Sequence, residues 1–141
     1  MADSTLTAAS VLPTANTQIA YGTTFEAITA GQPVYADSAN SYKLRVAGNG
    51  SIAASEVVGI ALNSAAAGQP LAYATGGDLT VASSPALVLG TVYALGNGAG
   101  TVSPAGDLEG SSATRYATIL GVTTTATNLR LAIAFSDVKN P

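Results

Sequence analysis

Along the chain, apolar residues alternate with polar or small ones over short stretches and never settle into a sustained helical stripe at i, i+3, i+4 and i+7. Tyr42-Lys43-Leu44-Arg45-Val46 puts Tyr42, Leu44 and Val46 on one side and both cations on the other, the period of two that a half-buried strand requires. Leu129-Arg130-Leu131-Ala132-Ile133-Ala134-Phe135 repeats this. Its Leu129, Leu131, Ile133 and Phe135 are predicted inward, and its mostly alanine outer face is expected to be covered by something. Leu71 to Thr75 and Asp78 to Val81 flank Gly76-Gly77. A glycine pair tolerates positive φ, so the spacing predicts a two-residue hairpin loop there. Single helical turns are the most that Ser51 to Glu56 and Leu108 to Thr114 can support, because Gly, Thr and Val recur too often for long helices.

The strand-like segments repeat. Val34-Tyr35-Ala36 returns as Val92-Tyr93-Ala94, and the same offset aligns Leu44 with Val102 and Ala47-Gly48 with Ala105-Gly106. Val57-Val58-Gly59-Ile60 then matches Ile119-Leu120-Gly121-Val122, and Leu71-Ala72-Tyr73-Ala74 matches Leu131-Ala132-Ile133-Ala134. Because the matches keep their order, they predict one domain over residues 19–141 with an internal duplication, about 28–82 and 87–136. A shorter echo, Ala30-Gly31-Gln32-Pro33 and Ala67-Gly68-Gln69-Pro70, sets a glycine turn and a proline ahead of a strand each time. Residues 1–18 carry Pro13 and no periodicity beyond isolated Leu6, Val11 and Leu12. They read as an extended N-terminal arm, although composition equally allows a frayed terminus. The fold class expected is therefore all-β, a small β-barrel or sandwich built from two similar β-units behind that arm.

Composition changes this picture in two ways. The 48% of hydrophobic residues is dominated by alanine, with no tryptophan and two phenylalanines, so the core must be thin and the isolated subunit gains little from burial. Only 9% of residues are charged, against about 25% in ordinary domains, which leaves a surface of Ser, Thr, Asn, Gly and Ala suited to close subunit packing. Disorder usually pairs low hydrophobicity with high net charge, whereas the mean hydropathy is +0.36 and the net charge −3, so an ordered fold is expected. Five scattered cations (Lys43, Arg45, Arg115, Arg130, Lys139) give no footprint for phosphate backbones, and nucleic acid is not an expected partner. No stretch approaches about 18 uninterrupted apolar residues, and Met1-Ala2-Asp3-Ser4-Thr5 does not open a secretory signal. The expectation is synthesis in the cytoplasm and no membrane partner.

Without His or Cys, no Ser-His-Asp, Cys-His or zinc arrangement can be assembled within the chain, and no cofactor is expected. Carboxylate-only hydrolysis needs two acids held about 5 to 10 Å apart. The candidates are Glu26, Asp37, Glu56, Asp78, Asp107 and Glu109, most of them beside predicted turns where acids serve as turn formers, so catalysis is not expected. Asp107 and Glu109 could offer oxygens to Ca²⁺ but lack EF-hand spacing, and they read as a solvated loop. Ser136-Asp137-Val138-Lys139 fits S-x-x-K without the helix and pocket that the chemistry needs, and reads as a frayed terminus after the last strand. Gly96-Asn97-Gly98-Ala99-Gly100 lacks the lysine and helix of a phosphate loop and reads as a turn between strands.

The runs Ala30-Gly31-Gln32-Pro33-Val34-Tyr35, Val57-Val58-Gly59-Ile60-Ala61-Leu62, Ala65-Ala66-Ala67-Gly68-Gln69-Pro70-Leu71, and later Leu120-Gly121-Val122 with Leu129 to Ile133, resemble the capsid cement (decoration) proteins of tailed bacteriophages, long catalogued as a domain of unknown function. The resemblance spans roughly residues 28 to 136 and rests on short Gly- and Ala-based turn signatures. It implies a small β-barrel-like or sandwich subunit, usually a homotrimer, that binds the major capsid protein on the outside of the mature head at capsomer junctions and reinforces the shell. It brings no catalytic residues. The long polar stretch before Tyr21 departs from the family's shorter openings. The positions assigned to capsid or subunit contact are Leu6, Val11, Leu12, Ile19 and Tyr21 in or beside the arm, and Arg130, Ala132 and Ala134 on the outer face of the last strand. The competing readings are a head-fibre, tail or surface-adhesin module, which predicts clustered exposed aromatics, and a carboxylate enzyme, which predicts paired acids in a cleft.

Overall fold

A computed structural model describes residues 4–84, 86–96, 98–105 and 116–139, and the side chains of all of these except 84 and 136–139. The chain is nearly all strand, curled into an antiparallel half-barrel. In order the strands are β1 (Thr5–Leu6), β2 (Leu12–Pro13), β3 (Gln18–Thr23), β4 (Pro33–Asp37), β5 (Lys43–Val46), β6 (Val57–Ala61), β7 (Pro70–Thr80), β8 (Ser83–Ser84), β9 (Val92–Leu95), β10 (Val102–Pro104), β11 (Tyr116–Thr125) and β12 (Asn128–Lys139). A single helical turn, α1 (Ile52–Ser55), is capped where Ser51 Oγ accepts from Ala54 N–H.

The hydrogen-bonded order is β10-β9-β11-β12-β7-β6-β4-β5. Read from either end it has one connectivity: a hairpin (β4 with β5, β9 with β10), the next strand laid beside the first of the pair (β6, β11), then a long strand (β7, β12) that meets its counterpart antiparallel from Thr80↔Asn128 to Gly77↔Leu131. The matching sequence blocks occupy matching places in this order. Both echo motifs also form as expected. Gly31 and Gly68 turn at φ 93° and 80°, and Pro33 and Pro70 open β4 and β7, where a missing amide is tolerated. Gly96 N–H donates to Thr101 O at 2.9 Å across the turn between β9 and β10; Asn97 and the segment from Leu108 to Thr114 lie outside the described residues.

The sequence pattern misplaces Gly76-Gly77. These glycines close no hairpin; they lie inside the continuous eleven-residue β7. Ala74 and Leu79 both belong to the larger core cluster although five residues apart, an odd spacing that a regular strand cannot put on one face. Gly77, at φ 80°, supplies the irregular step, and a Cβ there would stand 2.1 Å from the Asn16 carbonyl. The same device recurs without the left-handed turn. Val57 and Ile60 share the larger cluster across Gly59, and the pairing of β11 shifts register between Ile119 and Gly121. Bulges of this kind bend a strand and increase its twist. The first β-unit therefore packs between two clusters, the larger around Leu79, Tyr93, Leu95, Leu120 and Leu129, the smaller around Ile28, Val34, Leu44, Ala61 and Leu71.

Three further expectations are corrected. Residues 4–18 alternate short strands with a 3-10 turn at Ala8–Ser10, and they do not project as an arm. Leu6 and Val11 are 4% and 3% exposed within the larger cluster, β1 pairs with β8, β2 with the end of β7, and Ser4 bridges Val102. Isolated apolar side chains in a polar stretch carry no periodic signal, so the burial of Leu6 and Val11 could only come from tertiary packing. Tyr42 does not continue β5. It follows Ser41 in the left-handed region, φ 59° after φ 58°, and is 70% exposed. Finally, β12 runs through Lys139, so Ser136-Asp137-Val138-Lys139 is strand rather than a frayed end, and Phe135 is half-exposed instead of inward. Leu129 and Leu131 do point inward, with Ile133 packed against the core.

Candidate functional site

The first candidate surface is the outer side of β12, β11 and β9. Cross-strand partners share a face, so Arg130, Val122 and Val92 form one row and Ala134, Ile119 and Ala94 another, the second buried at its Ala94 end. Ala132 and Ala134 are exposed, and Val92 is about half exposed. Leu12, 55% exposed, continues this face across β7 through Thr80 and Asn128. Beside Val92, Val88 and Leu89 also stand in solvent. Their loop is held because Val88 N–H donates to Tyr93 Oη at 2.9 Å and Thr123 Oγ1 donates to Val88 O. Leu6 and Val11 are lost to this list because they sit in the protein's own core. Ile19 and Tyr21 project from β3, with Tyr21 77% exposed.

Arg130 is the one charge in this group of predicted contacts, and it is already engaged. Its Nε lies 3.0 Å from Asp78 Oδ1, the carboxylate that also accepts from Asn16 Nδ2 at 2.9 Å and Asn128 Nδ2 at 3.1 Å. Arg130 first, then the two amides, holds the Asp78 carboxyl down at about 2. Thr14 and Thr17 hydroxyls donate to the Asp78 carbonyl, so one residue fastens the N-terminal segment beside the β7 bulge.

A second charged node sits on the first β-unit. Arg45 lies over the Phe25 ring at 5.0 Å, with Nη1 3.2 Å from Asp37 and Nε 3.7 Å from Glu26, an ion-pair separation too long for a hydrogen bond. Glu26 also accepts from Val46 N–H at 2.8 Å. The Asn40 amide, with Ala39 N–H and Arg45, lowers the Asp37 carboxyl below its usual range. These acids hold turns and strands together, as acids beside turns were expected to do. Asp107 and Glu109 lie outside the described residues.

Sequence reasoning missed the third candidate, a cleft of about 260 Å³ lined by Tyr42, Phe135, Glu56, Ala36, Ala53 and Val58, with Ser38 at its polar margin. Four separate elements build it: β4 and its loop, α1, the start of β6, and β12. Tyr42 reaches it because two consecutive left-handed residues lift the loop, a conformation fixed where Tyr42 N–H donates to Asp37 O at 2.8 Å. Phe135 reaches it because strand alternation turns it away from Ala134. Among the described residues the Glu56 carboxylate faces no cation. Alternation had placed both aromatics inward, so the sequence held no signal for the cleft beyond the three separate residues.

Comparison of the chain with models of known protein families gives no match, and comparison with curated proteins gives none either.

Proposed function

We propose that this chain is a structural virion protein that binds the major capsid protein on the outer surface of the mature phage head, at capsomer junctions, and stabilises the shell as a homotrimer. In this reading it is made in the host cytoplasm and catalyses nothing. The observation that carries the reading is the exposed part of the outer face of β12 and β9, where Ala132, Ala134 and Val92 meet solvent. A broad face of small apolar groups admits close approach of another flat surface and gives little to a small ligand. Symmetric copies then engage several equivalent sites at once, so modest contacts add into slow release.

The test mixes purified protein with empty, expanded capsids and measures co-sedimentation, stoichiometry and shell resistance to heat. Binding in multiples of three with a raised melting temperature of the shell is expected. Ala134→Arg, placed on the exposed face, should abolish binding with the fold intact; undiminished binding by this variant, or none by the parent chain to any cognate shell, sinks the proposal.

A second reading, a head-fibre, tail or adhesin module, draws on a different observation: Tyr42 and Phe135 come together beside Glu56, the aromatic clustering that such a module predicts. A glycan or protein ligand protecting these residues, with no capsid binding, would favour it.

A further inference from the structure

We propose that the cleft between the β4–β5 loop, α1 and β12 receives an arginine side chain presented by a protein partner. This goes beyond shell binding and does not depend on it. The volume of about 260 Å³ suits one long side chain rather than a folded element. Its lining is mixed in the way a guanidinium on an aliphatic stem requires: Ala36, Ala53 and Val58 for the methylenes, the Tyr42 and Phe135 rings for the planar cation, and Glu56 for its N–H groups.

Other occupants fit the lining less well. An apolar side chain would strip water from Glu56 and return no hydrogen bond, which is costly for a carboxylate. A sugar needs several directed donors and acceptors, and the polar groups there are the Ser38 and Tyr42 hydroxyls and the Glu56 carboxylate. Lysine brings a compact, strongly hydrated ammonium that cannot lie flat on a ring.

The molecule also contains the arrangement in completed form. At Arg45 a guanidinium sits over Phe25 between the carboxylates of Glu26 and Asp37. The cleft repeats the aromatic and the carboxylate, and among the described side chains none supplies its cation. Because the Ser41-Tyr42 turn fixes one wall before anything binds, less ordering is lost on association.

The experiment titrates the full chain with N-acetyl-arginine amide, following NMR signals of Tyr42, Ala53, Val58 and Phe135. Parallel titrations use the lysine and norleucine amides. Saturable shifts confined to these residues are expected with the arginine probe, weaker by about fivefold or more with either analogue. Glu56→Gln should weaken arginine binding about tenfold, as loss of one charge-assisted hydrogen bond does. No saturable shift at these residues, equal binding of lysine or norleucine amide, or an unchanged constant in Glu56→Gln overturns the assignment. The probe series on the unaltered chain decides the matter even if a variant misfolds. Self-association of the parent chain that Glu56→Gln abolishes would also overturn it, since the occupant would then be a second copy.

Discussion

Three glycines separate two costs that usually arrive together. Gly68 and Gly77 share φ 80°, but a Cβ on Gly68 meets nothing within 4 Å, whereas one on Gly77 would stand 2.1 Å from the Asn16 carbonyl oxygen. Gly121 supplies the converse case: it lies outside the left-handed region, yet its Cβ would stand 2.1 Å from the Arg130 carbonyl oxygen. A left-handed L-residue costs roughly 1–2 kcal/mol, partly offset by about 0.4–1 kcal/mol from the stiffer unfolded chain. Gly68→Ala should therefore cost about 1 kcal/mol or less. Gly121→Ala must push two paired backbones apart by about 1 Å, an overpacking expected to cost about 1–3 kcal/mol. Gly77→Ala combines both and should cost about 2–4 kcal/mol. For a domain of this length each kcal/mol lowers the melting temperature by about 3–5 °C. Urea and thermal unfolding of the three variants should rank Gly68, Gly121, Gly77 in rising severity. Proteolysis should also show the segment around Asn16 loosened only in the Gly77 variant. Equal losses at Gly68 and Gly77 would refute the bulge, because the backbone contact with Asn16 would then contribute nothing.

Two further outcomes follow from the N-terminal segment. Leu6→Ala should cost about 2–4 kcal/mol while Leu12→Ala, on the exposed face, should stay within about 0.5 kcal/mol; removal of residues 2–18 should likewise lower the urea midpoint, and a truncated chain as stable as the parent would show that the segment is only draped on the sheet. Asp78 falls from 3.8 to about 2 on folding, so the native state binds its proton more weakly than the unfolded chain does; its stabilisation is complete above about pH 4 and is lost as pH falls toward 2. Asp78→Asn should flatten that part of an acid unfolding curve, and a curve of unchanged shape would place the acid sensitivity elsewhere.

The class of fold was legible because it depends on local rules. Alternation in Leu129 to Ile133 and the paired Ala-Gly-Gln-Pro turns form as expected, and the repeated Val-Tyr-Ala blocks take equivalent places in the strand order, although Val34 is buried and Val92 half exposed. The errors share one cause. Gly76-Gly77 has the local chemistry of a hairpin loop, and only the strands on either side of β7 make a bulge the better solution. Tyr42 and Phe135 obey alternation in sequence, but one lies past a left-handed step and the other lines the cleft half-exposed. Leu6 and Val11 are buried by contacts with distant strands that no window of local sequence contains. The same limit hid the cleft, whose lining comes from positions 36 to 135.

The distribution of bulk bears directly on function. Both phenylalanines, Tyr21 and Tyr42 are at the surface, while the interior is built from Val, Leu, Ile and Ala with Tyr35 and Tyr93 as its aromatic members. A chain that spends its largest apolar groups outward gains less from folding alone and has more to gain from neighbours. Strand β12 also divides that capacity in two, because alternation sends Ala132 and Ala134 to one side of the sheet and Phe135 to the other. A subunit that only capped a surface would need one such face. One that joins two bodies needs two, aimed differently, with the broad small-residue face supplying area and the Tyr42–Phe135–Glu56 cleft supplying a directional anchor.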